Sequence, residues 1–325
     1  MAKKPKESAF RTTIGGQALI EGIMMLGPDK RATVVRKSDG EMEIRSEPRK
    51  LVKDRCAILG WPFIRGVVNF GSSMVNGVRE LFWSADIATE EDEQEQEPAE
   101  PSKFERWLEE HLGSEKVYSL LVGVTAVIAV LFSVALFFLL PTLLAGIFDR
   151  WISHPIIHNL IEGAIRIVIF LLYLYLISKM KDMRRVFSYH GAEHKTIFCY
   201  EKGLPLTVEN VRAQPRHHPR CGTSFLFVVI VVAILASSIV FTYVDWSNVW
   251  IRLATHLILL LPVVAVSYEC NRLVGRYDNA LTRLLVKPGL WMQNFTTFEP
   301  DDSMIEVGIQ ALSLVIPEEK GKDAW

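Results

Sequence analysis

The stretch from Tyr189 to Phe198 reads YHGAEHKTIF and holds His190, Glu193 and His194 in the spacing His-x-x-Glu-His. On a helix, residues four apart share a face and residues three apart lie beside them. This stretch therefore presents two imidazoles and a carboxylate together. Two imidazole nitrogens one turn apart are half of a tetrahedral zinc site; a third ligand makes a catalytic one, with the fourth position left open. The same spacing is that of the inverzincins, whose Glu assists attack by water. Further along, RHHPRCGTSF supplies His217, His218, Arg220 and Cys221. His218, Cys221, Glu201 and Glu269 are the candidates for the third ligand to a divalent ion, zinc before others, and Glu193 is the candidate general base. The rival account of YHGAEH is a helix of hydrogen-bonded polar residues. Cys221 also has rivals to ligation: a nucleophile favoured by Arg220 and a helix start, or plain packing.

Four long apolar runs must carry this segment. They cover roughly 117–148, 155–177, 225–243 and 249–267, and the first and third hold no charge. Each matches the ~20 residues that a helix needs to cross a bilayer, and the first easily exceeds them. Pro141 falls late in the first run and is expected to kink or end it. Between the second and third runs stand Lys179, Lys181, Arg184, Arg185, Lys195, Lys202, Arg212, Arg216 and Arg220, whereas VDWSN between the third and fourth has no cation. The positive-inside rule then puts the middle loop and both termini in the cytoplasm. Cys56, Cys199, Cys221 and Cys270 face a reducing compartment there, so disulfides are not expected. The basic N-terminus lacks the apolar core of a signal peptide. The net charge of -1 points to no polyanionic partner, which argues against nucleic acid and leaves the lipid bilayer as the expected environment. Glu162 and Arg166, four apart in the second run, are expected to pair on one face.

The fold expected is an α-helical membrane protein with four transmembrane helices and a small α+β cytoplasmic portion. Residues 1–88 form its N-terminal region. There ATVVRKSDGEMEIRSEP reads as a hairpin turning at Asp39-Gly40, IGGQALIEGIMMLGP as a strand or a loop, and 61–85 as an amphipathic helix lying on the membrane or packed on the spans. Residues 89–103 are an acidic disordered linker. An interfacial helix and the first two spans take up 104–178, the His/Cys-rich loop 179–224, the other two spans 225–268 and a C-terminal region 269–325. In that last region Ser303 with Glu306 reads as a capping box opening a short helix.

Four motifs, GGQALIEGIMMLGP, HGAEHKTIFCYEKG, HPRCGTSF and PGLWMQNFTTFEPDDSMIEVGIQAL, stand in that order. Together they resemble the YqhQ family of bacterial membrane proteins, a domain of unknown function labelled a predicted metal-dependent enzyme. The resemblance runs from about Gly15 to Ile316. It implies a bacterial plasma membrane protein. Carried over by motif, it marks Gly16, Gln17, Glu21, Gly22, His190, Glu193, His194, Lys195, Glu201, His218, Arg220 and Cys221. In the tail it marks Gln293, Thr296, Glu299, Pro300 and Glu306, and His217 falls outside the motif. Two functions follow as expectations. One is a metal-dependent enzyme, most simply a hydrolase, meeting its substrate at the cytoplasmic surface, with Glu21 and the GGQ stretch folded over the site. The other is a membrane assembly or binding factor with a membrane-protein partner, whose His-rich loop is structural. A transporter is disfavoured, because the first and third runs offer almost no polar residues and no inverted repeat is evident.

Overall fold

The computed structural model describes residues 10–49, 57–89, 114–148, 150–152, 154–244, 248–277 and 279–325. Most of the expected acidic linker, the interfacial helix before the first span, and Cys56 lie outside the described residues. Two compact units emerge. The first combines the chain up to Thr89 with Leu174–Val232 and Leu261–Trp325; the second combines residues 90–173 with Ala233–Leu260.

The first unit is built on an antiparallel sheet in the order β1 (Gly15–Leu19), β2 (Gly22–Leu26), β3 (Lys30–Arg36), β4 (Met42–Pro48). The β3–β4 hairpin turns at Gly40, whose φ of +90° suits a residue without a Cβ. The GGQ stretch forms a second hairpin before it, with Glu21 at φ +50° in its turn. Side chains alternate across a strand. Ile23, Met25, Ala32 and Val34 therefore enter one core, while Thr33 points to the other face, where its hydroxyl donates to Glu80 at 2.8 Å. That second face is covered by α1 (Ile64–Thr89), whose Gly77 lies so close to Gln17 that a Cβ would come within 2.4 Å of its amide oxygen. The first face is covered by α5 (Lys181–Glu201) and α10 (Asp302–Ser313). Tyr189, Ala192 and Ile197 of one helix meet Met304, Val307 and Ala311 of the other there. Gly191 permits this packing, since a Cβ would stand 2.0 Å from the Phe298 carbonyl oxygen.

α10 is capped by Asp301, which accepts from the Met304 N–H at 3.0 Å, and not by Ser303. The Ser303 hydroxyl donates to Asp301 instead, and Glu306 turns away to Arg36 at 2.8 Å. A carboxylate two residues earlier opens the helix sooner, accepts from a first-turn N–H and adds negative charge at the helix start.

Among the described residues, four helices are long and apolar enough to cross a membrane: Gly123–Gly146, Ile156–Ile177, Gly222–Val240 and Val249–Arg276. The first is composite. α2 (Ser114–Val134) passes through a π-helical turn at Ala135–Leu139 into α3 (Leu140–Gly146). Pro141 has no N–H for the preceding turn, and one wider turn accommodates that. The others are α4 (Pro155–Ile177), α7 (Gly222–Val240) and α8 (Val249–Arg276). Between them lie α6 (Val208–Arg212) and, after α8, α9 (Ala280–Thr296). The second unit holds the expected Glu162–Arg166 pair at 2.7 Å within a larger buried cluster. Glu162 Oε1 also accepts from His256 at 2.8 Å and from Thr142 at 3.0 Å.

Candidate metal centre

The His-x-x-Glu-His segment lies in α5, which ends where Gly203 adopts φ +65°. α7 begins at Gly222, one residue after Cys221. The N-terminal end of a helix stabilises a thiolate, and the Cys221 sulfur accepts from the Thr223 N–H at 3.5 Å and its hydroxyl at 3.3 Å. With the helix starting at Gly222, the sulfur lies within reach of α5. His190 Nε2 is 3.1 Å from Cys221 Sγ, and the ring centroids of His190 and His194 are 4.3 Å apart. The ligand atoms of His190, His194 and Cys221 all lie within 4.8 Å of one another.

Backbone carbonyls set the imidazole tautomers. His190 Nδ1 is 2.8 Å from the Thr296 oxygen, and His194 Nδ1 is 2.6 Å from the Arg216 oxygen. A carbonyl only accepts, so both Nδ1 atoms carry the hydrogen and both Nε2 atoms hold a lone pair. Metal-ligating histidines are oriented in this way by their outer neighbours. His194 is 1% exposed, and its Nε2 has no hydrogen-bond partner. A buried lone pair without a donor is costly. Two imidazole nitrogens and a thiolate also form a donor set that suits zinc. The residues present thus fit a divalent ion.

Glu193 stands beside this group and accepts from the Gly16 N–H at 2.9 Å. Gly16 is required there: a Cβ would stand 2.6 Å from the Met24 carbonyl oxygen and 3.0 Å from the Glu193 carboxyl carbon. Burial raises the Glu193 carboxyl to about 7, against the lowering pull of His190. Burial lowers His194 to about 4, against the attraction of Cys221. Burial also raises the Cys221 thiol, but the His194 imidazole and the Thr223 hydrogen bonds outweigh it and leave it below its usual value. A cavity of about 120 Å³ opens on these groups, with Arg220, His218, Thr12 and Trp325 in its walls.

The other expected residues divide. His218 lies in the wall, 5.5 Å from the His194 ring centre to centre, but faces Glu201, with Nε2 3.7 Å from Oε2. Its backbone is clamped by Gln293, which accepts from the His218 N–H at 2.8 Å and donates to its carbonyl at 2.8 Å. Glu201 also binds the Arg220 guanidinium and the Thr12 N–H, the latter at 2.9 Å. Burial raises Glu201, but His218 and then Arg220 outweigh it and hold it below the usual carboxylate value. His217 lies on the outer side against Arg216.

Glu269 does not join the group. It forms a two-pronged pair with Arg65, Oε1 lying 2.7 Å from the guanidinium Nε, and accepts from the Phe63 N–H at 3.3 Å. Glu21 turns to Arg185 and to the Tyr189 hydroxyl at 3.1 Å, so the GGQ hairpin reaches the site through Gly16 alone. Lys195 is directed to the Arg212 carbonyl at 3.0 Å and to Glu299 at 2.7 Å. The carbonyls of Arg216 and Thr296, and the walls at Thr12 and Trp325, had no signal in residue type; backbone oxygens have none to give.

The architecture and the site define a class: a helical membrane protein with four candidate spans, an N-terminal antiparallel sheet and a His/His/Cys group, its His194 and Cys221 buried and its His190 half-buried, beside a carboxylate. The chain belongs to the family described as protein of unknown function (DUF1385), which matches residues 61–318. It is similar to the "Uncharacterized protein YqhQ" of Bacillus subtilis (strain 168), at 34% identity over 300 residues, 92% of this chain and 91% of that one. No solved structure matches it.

Proposed function

We propose that the chain is a metal-dependent hydrolase of the bacterial plasma membrane, working at the cytoplasmic surface, with His190, His194 and Cys221 as ligands to zinc or a similar ion. The observation that carries this reading is the tautomer lock. Two backbone carbonyls turn two imidazole lone pairs toward one thiol, and the lone pair of His194 is left buried and unpartnered. When bound, the ion supplies Lewis acidity at the open side of the cavity.

The chain's own residues account for the rest. Glu193, held beside the ligand group, is placed to take a proton from an attacking water and return it to a leaving group. The Gly16 N–H holds the acting carboxylate in place. Arg220, fixed by Glu201, presents positive charge in the wall where an oxygen gains negative charge. The cavity takes one functional group rather than a whole lipid or peptide chain, so the remainder of a substrate stays outside.

Metal content and turnover separate the roles. Purified wild type is expected to carry near-stoichiometric metal, and His194→Ala to lose it. Glu193→Gln is expected to keep the metal and lose about 10²–10⁴-fold in hydrolysis across a panel of ester, amide and phosphoester reporters. Metal absent from wild type and His194→Ala alike would sink the proposal. The alternative, a membrane assembly factor with a structural metal, draws on the exposed apolar face of α1 at Phe70, Met74, Val75, Val78 and Phe82. Metal without turnover on any reporter, together with a defined co-purifying membrane protein, would favour it.

A further inference from the structure

α9 has two apolar faces. One is buried at Gly289, Met292, Gln293 and Thr296, and from it Gln293 clamps His218 while the Thr296 carbonyl orients His190. The other carries Leu281, Leu284, Leu285 and Trp291, which are 64%, 60%, 48% and 51% exposed. The spacing i, i+3, i+4, i+10 keeps these four on one side. A contiguous stripe of this kind marks a contact surface.

The neighbours of α9 say what covers it. Gly289 packs so tightly on the first turn of α7 that a Cβ would stand 2.5 Å from the Ser224 hydroxyl and 2.7 Å from its Cα. Ser224 is the third residue of the apolar span Gly222–Val240, so the middle of α9 is level with the end of a span. α9 also follows the span α8 after only three residues. It contains Arg283 and Lys287 but no Asp or Glu, and Arg272 and Arg276 precede it. Exposed leucines, a tryptophan and cations on an acid-free helix at a span boundary are the pattern of a helix lying in the bilayer interface, although Asp278 stands just before it.

We propose that α9 is an interfacial helix whose Leu281, Leu284, Leu285 and Trp291 face is sunk in the leaflet on the side of the His/Cys group, with anionic phospholipid headgroups against its cations. This stands whether or not the group binds metal or hydrolyses anything. Its consequence is positional: the helix that meets the lipid also orients His190 and His218, which places the cavity at headgroup depth.

The test uses the full chain in nanodiscs of phosphatidylcholine with and without phosphatidylglycerol. A benzophenone amino acid replaces Leu285 in one sample and Leu284 in another, so that one poorly folded variant leaves the other to decide. After irradiation, mass spectrometry is expected to find lipid adducts at a yield near that of the same probe at Leu261, an exposed residue of α8. The probe at Ser313, exposed on α10, is expected to give few. Phosphatidylglycerol adducts are expected to exceed their share of the bilayer by about fivefold, and Lys287→Glu to bring them toward parity. Adducts at Leu261 with none at either α9 position would overturn the proposal. A covalent dimer in their place would assign the face to a second copy, and adducts without phosphatidylglycerol preference would refute the headgroup contact.

Discussion

Gly15 and Gly16 are adjacent, yet adding one methyl group to each should have opposite effects. At Gly15 a Cβ meets nothing within 4 Å. At Gly16 it meets the Met24 carbonyl oxygen at 2.6 Å, the Glu193 carboxyl carbon at 3.0 Å and the Met25 sulfur at 3.0 Å. The thioether can swing aside. The Met24 carbonyl cannot, because it belongs to a strand paired on both sides. Relief to the ordinary contact distance of 3.4 Å needs a movement of about 0.8 Å between β1 and β2. Overpacking of this kind costs about 1–3 kcal/mol. The same movement stretches the 2.9 Å bond from the Gly16 N–H to Glu193 beyond useful length. Hydrogen bonds to charged groups contribute about 1.5–3 kcal/mol. Together these come to about 2.5–6 kcal/mol, so Gly16→Ala should lower the melting temperature by roughly 5–24 °C, at roughly 2–4 °C per kcal/mol. Gly15→Ala should leave it unchanged or raise it slightly, through the smaller entropy of the unfolded chain. The assay is thermal unfolding in nanodiscs, followed by a thiol-reactive dye that reports the buried Cys199. Turnover, once a substrate is in hand, should fall in Gly16→Ala while metal content stays near wild type. Equal melting temperatures for the two variants would refute the close approach of β1 to α5, and with it the assigned role of the GGQ motif.

His194→Ala should weaken zinc binding by about two to three orders of magnitude, since a four-ligand structural site gains about 10–16 kcal/mol and each ligand roughly a quarter of that; competition with a chromophoric chelator measures it. Glu201 has a lowered folded pKa, so its stabilisation is present above its ordinary value of 4.5 and lost as pH falls through the folded value. Glu201→Gln should thus be less stable than wild type at neutral pH but lose less stability below pH 4.5, as unfolding midpoints across that range will show. Glu162→Ala should destabilise by about 3–5 kcal/mol, because it leaves Arg166 and His256 buried without their carboxylate, and Arg166→Met in the same chain should recover part of the loss. Denaturant midpoints in a double-mutant cycle decide this.

The sequence by itself determined what depends on local pattern. Apolar runs of bilayer length fixed the four spans, because only a helix satisfies its backbone in lipid. The Asp39-Gly40 turn fixed the β3–β4 hairpin, and the four-residue spacing of His190 and His194 fixed a shared helical face. What it left open were choices among residues far apart in the chain. Cys221, His218, Glu201 and Glu269 were all candidates for a third ligand, with Glu269, level with the histidine loop, the preferred remote partner. Tertiary structure separated them through their counter-charges: Arg65 draws Glu269 away, Arg220 and His218 occupy Glu201, and Cys221 alone meets the two imidazoles. α9 was not anticipated, because Pro288 interrupts its pattern and its two apolar faces serve different neighbours, one the site and one the surroundings. The tautomers of both histidines rest on the carbonyls of Arg216 and Thr296, and the position of Glu193 on the N–H of Gly16. Every residue but proline carries the same backbone donor and acceptor, so no choice of side chain marks which ones the fold will bring to the site.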